Sequence, residues 1–327
     1  MSGFIIIYFY LLKNNISIIN IMNLDQIDEV IESKLVNFNK YPENIRELSL
    51  QNPNIEVIRI KYLSDKLKIE GFIAKKKGIK HKSPTIIFCR GGNNLQHLGE
   101  ILPGTFLRYL KFLLDSNYVI FASNYRGSTK SEGKDEFGGS DVNDVINLYP
   151  IINKYKYSDP DNISLYGVSR GCMQALLVHR QIRWIKSIVL LAGMYNYSLN
   201  IKHRPSFYRF LTEDFKLTKD DLYNRSAINF VNDFSKNVPI LLLHGNNDDK
   251  VTAISSMELG IKLQENENPY KLIVYPDGDH GITQHILEVR KEIVNWFNKF
   301  TILQKQDGGG LNLTIVGKNK SNIYYVN

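Results

Sequence analysis

The chain has 327 residues, 43% of them hydrophobic and 11% aromatic, enough apolar side chain to bury a substantial core, which excludes a disordered chain. Its formal charge of +8 comes from Lys and Arg scattered among Asp and Glu. No helix-turn-helix, zinc-finger or RNA-binding motif accompanies that charge, so no nucleic-acid partner is expected.

Residues 1–21 carry an apolar run from Phe4 to Leu12 that Lys13, Asn14 and Asn15 interrupt. A stable membrane span needs about 20 apolar residues, and the charge before and small residues after a signal core are missing. These residues are therefore expected to be an extension upstream of Met22, with peripheral membrane attachment through residues 4–21 left open. Residues 22–54 predict a helical segment, because Ile27, Val30, Ile31, Leu35 and Val36 recur at helical spacing. Residues 55–62 and 66–74 alternate as two strands of a hairpin.

From Pro84 the rhythm changes to short apolar runs at 85–89, 118–122, 163–166, 187–191, 239–243 and 271–275. Helical segments lie between and after them at 106–114, 142–154, 172–180, 254–264 and 282–300. Continuous apolar strands alternating with helices predict a mostly parallel sheet of about eight strands, covered on both faces. The domain is expected to span residues 55–304. Residues 195–236 interrupt the alternation as a small helical insert, placed to cap the strand ends, with Tyr195 and Tyr208 as candidates to line a substrate pocket. Residues 305–327, with three consecutive glycines at 308–310, predict a loose tail. The two cysteines, Cys89 and Cys172, sit in apolar runs without metal-ligand spacing, which argues against a disulfide framework and for a reducing, cytoplasmic compartment.

The chemistry concentrates where the run at 163–166 enters Gly167-Val168-Ser169-Arg170-Gly171. A G-x-S-x-G sequence between a strand and a helix is a sharp turn that lifts the serine hydroxyl above the sheet at a helix N-terminus. Serine is a weak nucleophile until an adjacent base, itself oriented by a carboxylate, takes its proton. In this fold the acid and then the base follow on loops after later strands. The run at 239–243 ends in HGNNDD, offering Asp248 or Asp249, and the run at 271–275 ends in PDGDHG, offering His280. His244, at a strand end, is expected to make a structural hydrogen bond instead. Paired glycines after the third predicted strand let backbone donors approach a substrate oxygen. The oxyanion hole is therefore placed at the backbone N–H groups of Gly92 and Arg170, with Gly91 as the alternative to Gly92.

These residues resemble the catalytic domain of the prolyl oligopeptidase family over roughly residues 55–300. GVSRG, HGNNDD and DGDHG are joined by Asn124-Tyr125-Arg126-Gly127-Ser128 and by a Phe137-Gly138-Gly139 turn leading into Asp141-Val142-Asn143-Asp144-Val145. The resemblance implies an α/β-hydrolase fold with Ser169, Asp248 and His280 as the triad, and a structural Arg126 paired with a carboxylate. It also implies a departure: some 50 residues precede the hairpin, too few for the β-propeller that gates access in many members. Arg90 stands where many members carry histidine or tyrosine, and joins the pocket candidates. The expectation is a serine hydrolase acting on a short peptide, amide or small ester through an acyl-serine, with no metal or cofactor. A carboxylesterase and a non-catalytic scaffold are the alternatives.

Overall fold

The computed structural model describes residues 24–96 and 99–302. The strands are β1 (Val30–Leu35), β2 (Ile55–Ser64), β3 (Leu67–Lys76), β4 (Ser83–Cys89), β5 (Val119–Ser123), β6 (Ser158–Val168), β7 (Ile185–Leu191), β8 (Ile240–Gly245) and β9 (Tyr270–Tyr275). They form one sheet in the order β1-β2-β3-β5-β4-β6-β7-β8-β9. The ladders are antiparallel from β1 to β5 through β2 and β3, and parallel from β5 to β9.

The helices are α1 (Glu43–Gln51), α2 (Pro103–Arg108), α3 (Lys111–Asp115), α4 (Asn143–Ile146), α5 (Tyr149–Lys154), α6 (Arg170–Gln181), α7 (Leu199–His203), α8 (Pro205–Arg209), α9 (Lys219–Arg225), α10 (Ile254–Glu265) and α11 (Ile286–Phe297). Successive strand side chains point to opposite faces, and the core divides accordingly. Ile87 and Cys89 of β4 pack with α6 residues such as Leu176 on one side. Ile86 and Phe88 pack on the other, with Phe106 and Leu113 from α2 and α3 and Ile293 from α11.

Three readings of the sequence are corrected. Of the expected helical segment at 22–54, Glu43–Gln51 is helical, but Val30–Leu35 is a strand paired with β2, making nine strands among the described residues. The periodicity of Val30 and Ile31 fits either structure over so short a run. The unpaired backbone edge of β2 offers hydrogen bonds that outweigh local helical preference. The predicted helix at 142–154 is broken into α4 and α5, because Pro150 lacks an N–H and cannot bond back to the carbonyl four residues earlier. The helix at 106–114 is likewise two short helices, α2 and α3.

The insert does contain short helices (α7, α8 and α9), and its Tyr197, Leu211, Phe215 and Leu222 are buried in the same core as α6. The predicted extension at 1–21 and tail at 305–327 lie outside the described residues. Among the described residues no helix is long and apolar enough to cross a membrane.

Candidate active site

Strand β6 ends at Val168 and α6 begins at Arg170, leaving a single residue for the reversal. Ser169 makes it at φ 53° and ψ −122°, a conformation that costs an L-residue on the order of 1–3 kcal/mol. Backbone bonds hold it there: Ser169 N–H donates to the Leu191 carbonyl at 2.8 Å, and Cys172 N–H donates to the Ser169 carbonyl at 3.0 Å. The close approach of α6 to β4 requires glycine at 171, where a Cβ would lie 1.9 Å from the Cys89 carbonyl oxygen.

The loops after β8 and β9 bring the other two groups to this hydroxyl. Ser169 Oγ lies 3.0 Å from His280 Nε2, and His280 Nδ1 lies 2.8 Å from Asp248 Oδ2. The Asp248 side chain is fully buried, whereas the imidazole is 19% exposed. Asp248 Oδ1 accepts the backbone N–H groups of Lys250 at 2.8 Å and Val251 at 2.9 Å. Burial alone would raise this carboxyl, but hydrogen bonds from His244, His280 and Val251 outweigh it and hold Asp248 well below the ordinary carboxylate range. Asp249, the rival acid, is exposed.

His244 does make structural hydrogen bonds, to Ser256 Oγ at 2.6 Å and to the Val251 carbonyl at 2.9 Å. Its Nε2 also sits 3.2 Å from Asp248 Oδ2, so Asp248 is gripped by two imidazoles. The motif HGNNDD did not disclose that. Arg126 is structural as the resemblance implied, paired with Asp144 and Asp65 at 2.8 Å each.

The glycine loop after β4 faces the serine. A Cβ at Gly91 would lie 3.1 Å from Ser169 Cβ and 3.8 Å from its Oγ. Among the described residues no backbone carbonyl accepts the N–H of Gly92 or of Arg170.

Two of the three pocket candidates are corrected. Arg90 is 1% exposed, and its guanidinium turns inward. There it donates to the Gly91 carbonyl at 2.9 Å, to the Asn124 carbonyl at 2.7 Å and to the Asn94 side chain, and it lies 4.6 Å over the Tyr125 ring. Its Nη atoms find their acceptors inside the fold, without substrate. Tyr195 is fully buried, its ring tucked against Gly193, because the insert begins inside the protein beneath α6. Tyr208 is half-buried against the insert's apolar core.

The sequence motif singles out the backbone of Arg170 and not its side chain. That guanidinium is buried and pairs with Asp135 at 2.6 Å and Asp141 at 2.7 Å. Burial opposes the charge on Arg170, but its two carboxylate neighbours raise its pKa regardless. A signal was present in Asp141, which follows Phe137-Gly138-Gly139-Ser140 and precedes Val142: a carboxylate carried into the core there needs a charged or hydrogen-bonding partner.

A strained serine, an imidazole and a buried carboxylate, hydrogen-bonded in line at the ends of parallel strands, define a serine hydrolase of the α/β-hydrolase fold. Residues 105–302 match the profile of the prolyl oligopeptidase family, and the chain belongs to that family of serine peptidases. Over 240 residues it is 24% identical to the uncharacterized peptidase YtmA of Bacillus subtilis (strain 168), an alignment covering 72% of this chain and 90% of that protein. It is 26% identical to dipeptidyl-peptidase 5 of Arthroderma otae (strain ATCC MYA-4605 / CBS 113480) over 61% of this chain but only 29% of the relative. The fold is shared with the acylaminoacyl peptidase of Pyrococcus horikoshii, at TM-score 0.63 and 17% identity, over 78% of this chain and 43% of that one. It is shared too with a puromycin-hydrolyzing peptidase of Mycobacterium tuberculosis, at TM-score 0.61 and 17% identity, over 72% and 37% of the two chains.

Proposed function

We propose that Ser169, His280 and Asp248 are the catalytic triad of a peptidase that cleaves short peptides or related amides through an acyl-Ser169 intermediate. The observation that carries this reading is the unbroken line of 3.0 Å and 2.8 Å contacts from Oγ through the imidazole to the carboxylate. His280 Nε2 takes the hydroxyl proton as Oγ bonds to the substrate carbonyl carbon. Asp248 fixes the tautomer with Nδ1 protonated, and its own anionic state, favoured by its hydrogen bonds, supports the imidazolium that forms. The oxyanion is held by the N–H groups of Gly92 and Arg170. His280 then gives its proton to the leaving nitrogen as the C–N bond breaks, and water repeats the sequence to release the acid.

Tyr208, the pocket candidate that keeps exposed surface, is assigned to the substrate side of the insert, which serves as a partial cap. Amide targets are favoured over esters because the relatives are named as peptidases, among them dipeptidyl-, acylaminoacyl and puromycin-hydrolyzing ones. The test is a panel of dipeptide anilides, acylamino-acid anilides and short nitrophenyl esters with wild-type protein and Ser169→Ala. Anilide turnover lost in Ser169→Ala supports the peptidase. Ester turnover without any anilide cleavage makes it a carboxylesterase, and activity surviving in Ser169→Ala refutes the triad.

A further inference from the structure

The two guanidiniums beneath the glycine loop contact successive carbonyls of that loop. Arg90 Nη1 donates to the Gly91 carbonyl at 2.9 Å, and Arg170 Nη1 donates to the Gly92 carbonyl at 3.2 Å. No described peptide bond is cis, and in a trans peptide the N–H points opposite to the C=O it shares a plane with. Fixing the Gly91 carbonyl inward therefore fixes the Gly92 N–H outward, and holding the Gly92 carbonyl inward locks the other side of the same residue.

A third anchor closes the loop: Asn94 N–H donates to Asp135 Oδ2 at 2.8 Å, the carboxylate whose oxygens also hold Arg170 at 2.6 and 2.8 Å. The guanidiniums are themselves immobilised. Arg170 lies 4.4 Å over the Phe137 ring, and both face Tyr125, at 4.6 Å for Arg90 and 5.5 Å for Arg170. Gly99 walls the far side of the Gly91 carbonyl so closely that a Cβ there would lie 2.5 Å from the oxygen. A glycine pair is by itself the most mobile backbone available, yet an oxyanion donor works only when its direction is set before the charge develops.

We propose that the Arg90 and Arg170 side chains are positioning residues that hold the glycine loop so that the N–H of Gly92 is aimed at the substrate oxygen from behind, without touching substrate. This rests on Ser169 as nucleophile and on the hole described above. Arg170 contributes twice: its backbone N–H lies in the hole and its side chain orients the opposite wall.

The experiment compares an oxygen ester with the thionoester of the same acyl group. Sulfur accepts hydrogen bonds poorly, so the ratio of the two kcat/KM values reports the hole and not folding or the nucleophile. In Arg170→Met and Arg90→Met we expect oxygen-ester turnover to fall about 10²-fold, the scale of one lost donor. Thionoester turnover should change much less, so that the ratio collapses. Arg170→Lys, which keeps the charge beside Asp135, should recover part of the ratio.

If the variants lose both substrates equally, or keep the wild-type ratio, the inference is wrong while the triad stands. If wild-type turnover does not require Ser169, the triad reading falls and takes this one with it. Since these residues are buried and a variant can unfold, the wild type supplies its own check. With ¹⁵N-glycine labelling and a boronic acid bonded to Ser169, the Gly92 amide proton should move downfield. A Gly92 signal unmoved by an adduct confirmed at Ser169 overturns the inference.

Discussion

The two ends of helix α6 bury polar groups on opposite terms. At its N-terminus Ser169 and Arg170 are surrounded by partners: an imidazole on the hydroxyl, two carboxylates and a carbonyl on the guanidinium. About ten residues and roughly 15 Å along the axis, His179 is fully buried against the Phe234 ring, 5.1 Å away. Neither of its ring nitrogens has a partner among the described residues. Desolvation, aided by Arg183, pushes its pKa down to about 4. One end spends its polar groups on a fixed geometry, while the other carries an uncompensated one that only the neutral form tolerates. Polar burial marks a site when the partners line up behind one reactive atom, as His280 and then Asp248 do behind Ser169 Oγ.

The largest effect expected from this contrast is at the N-terminal end. Ser169→Ala should lower kcat by about 10⁶, the scale of losing the nucleophile in a serine triad, with the thermal unfolding midpoint preserved because alanine carries the same Cβ in the same backbone conformation. Asp248→Asn should cost about 10⁴ in kcat by favouring the wrong imidazole tautomer, measurable with the same substrate panel. Asp141→Ala removes one of the two carboxylates on Arg170, together with the acceptor for Gln174 Nε2 at 2.9 Å. Denaturant titration should show a loss of about 3–5 kcal/mol, the cost of breaking a buried pair.

The smallest effect belongs to the far end of the helix, and its sign is fixed by His179. Its folded pKa lies below the ordinary 6.5, so the unfolded chain binds the proton first as pH falls. Stability is then full above about pH 6.5 and drains toward pH 4, by about 3 kcal/mol in all. His179→Leu should remove that slope while leaving turnover at neutral pH unchanged. An identical pH slope in the variant would mean that this imidazole is not the acid-sensitive group.

Much of the N-terminal end was legible in the sequence because its determinants are local. A strand, G-x-S-x-G and a helix specify the turn at Ser169, and the order of Asp248 and His280 after later apolar runs follows from a parallel sheet. What was not legible depends on where long side chains go. Arg90 read as a pocket residue because a motif gives its position and not the inward direction imposed by the Asn124 carbonyl and the Tyr125 ring. Residues 30–35 read as helix because their pairing partner, the edge of β2, lies some 25 residues further along the chain. Asp135, which organises both Arg170 and the glycine loop, has no neighbouring residue that announces the cation it meets.

Mass spectrometry after reaction with a fluorophosphonate tests the central assignment most directly. The folded protein should gain one adduct that maps to Ser169, absent in Ser169→Ala and formed far more slowly in His280→Ala. A folded protein that stays unmodified, or one modified at another residue, would contradict the reading of this hydroxyl as the activated nucleophile.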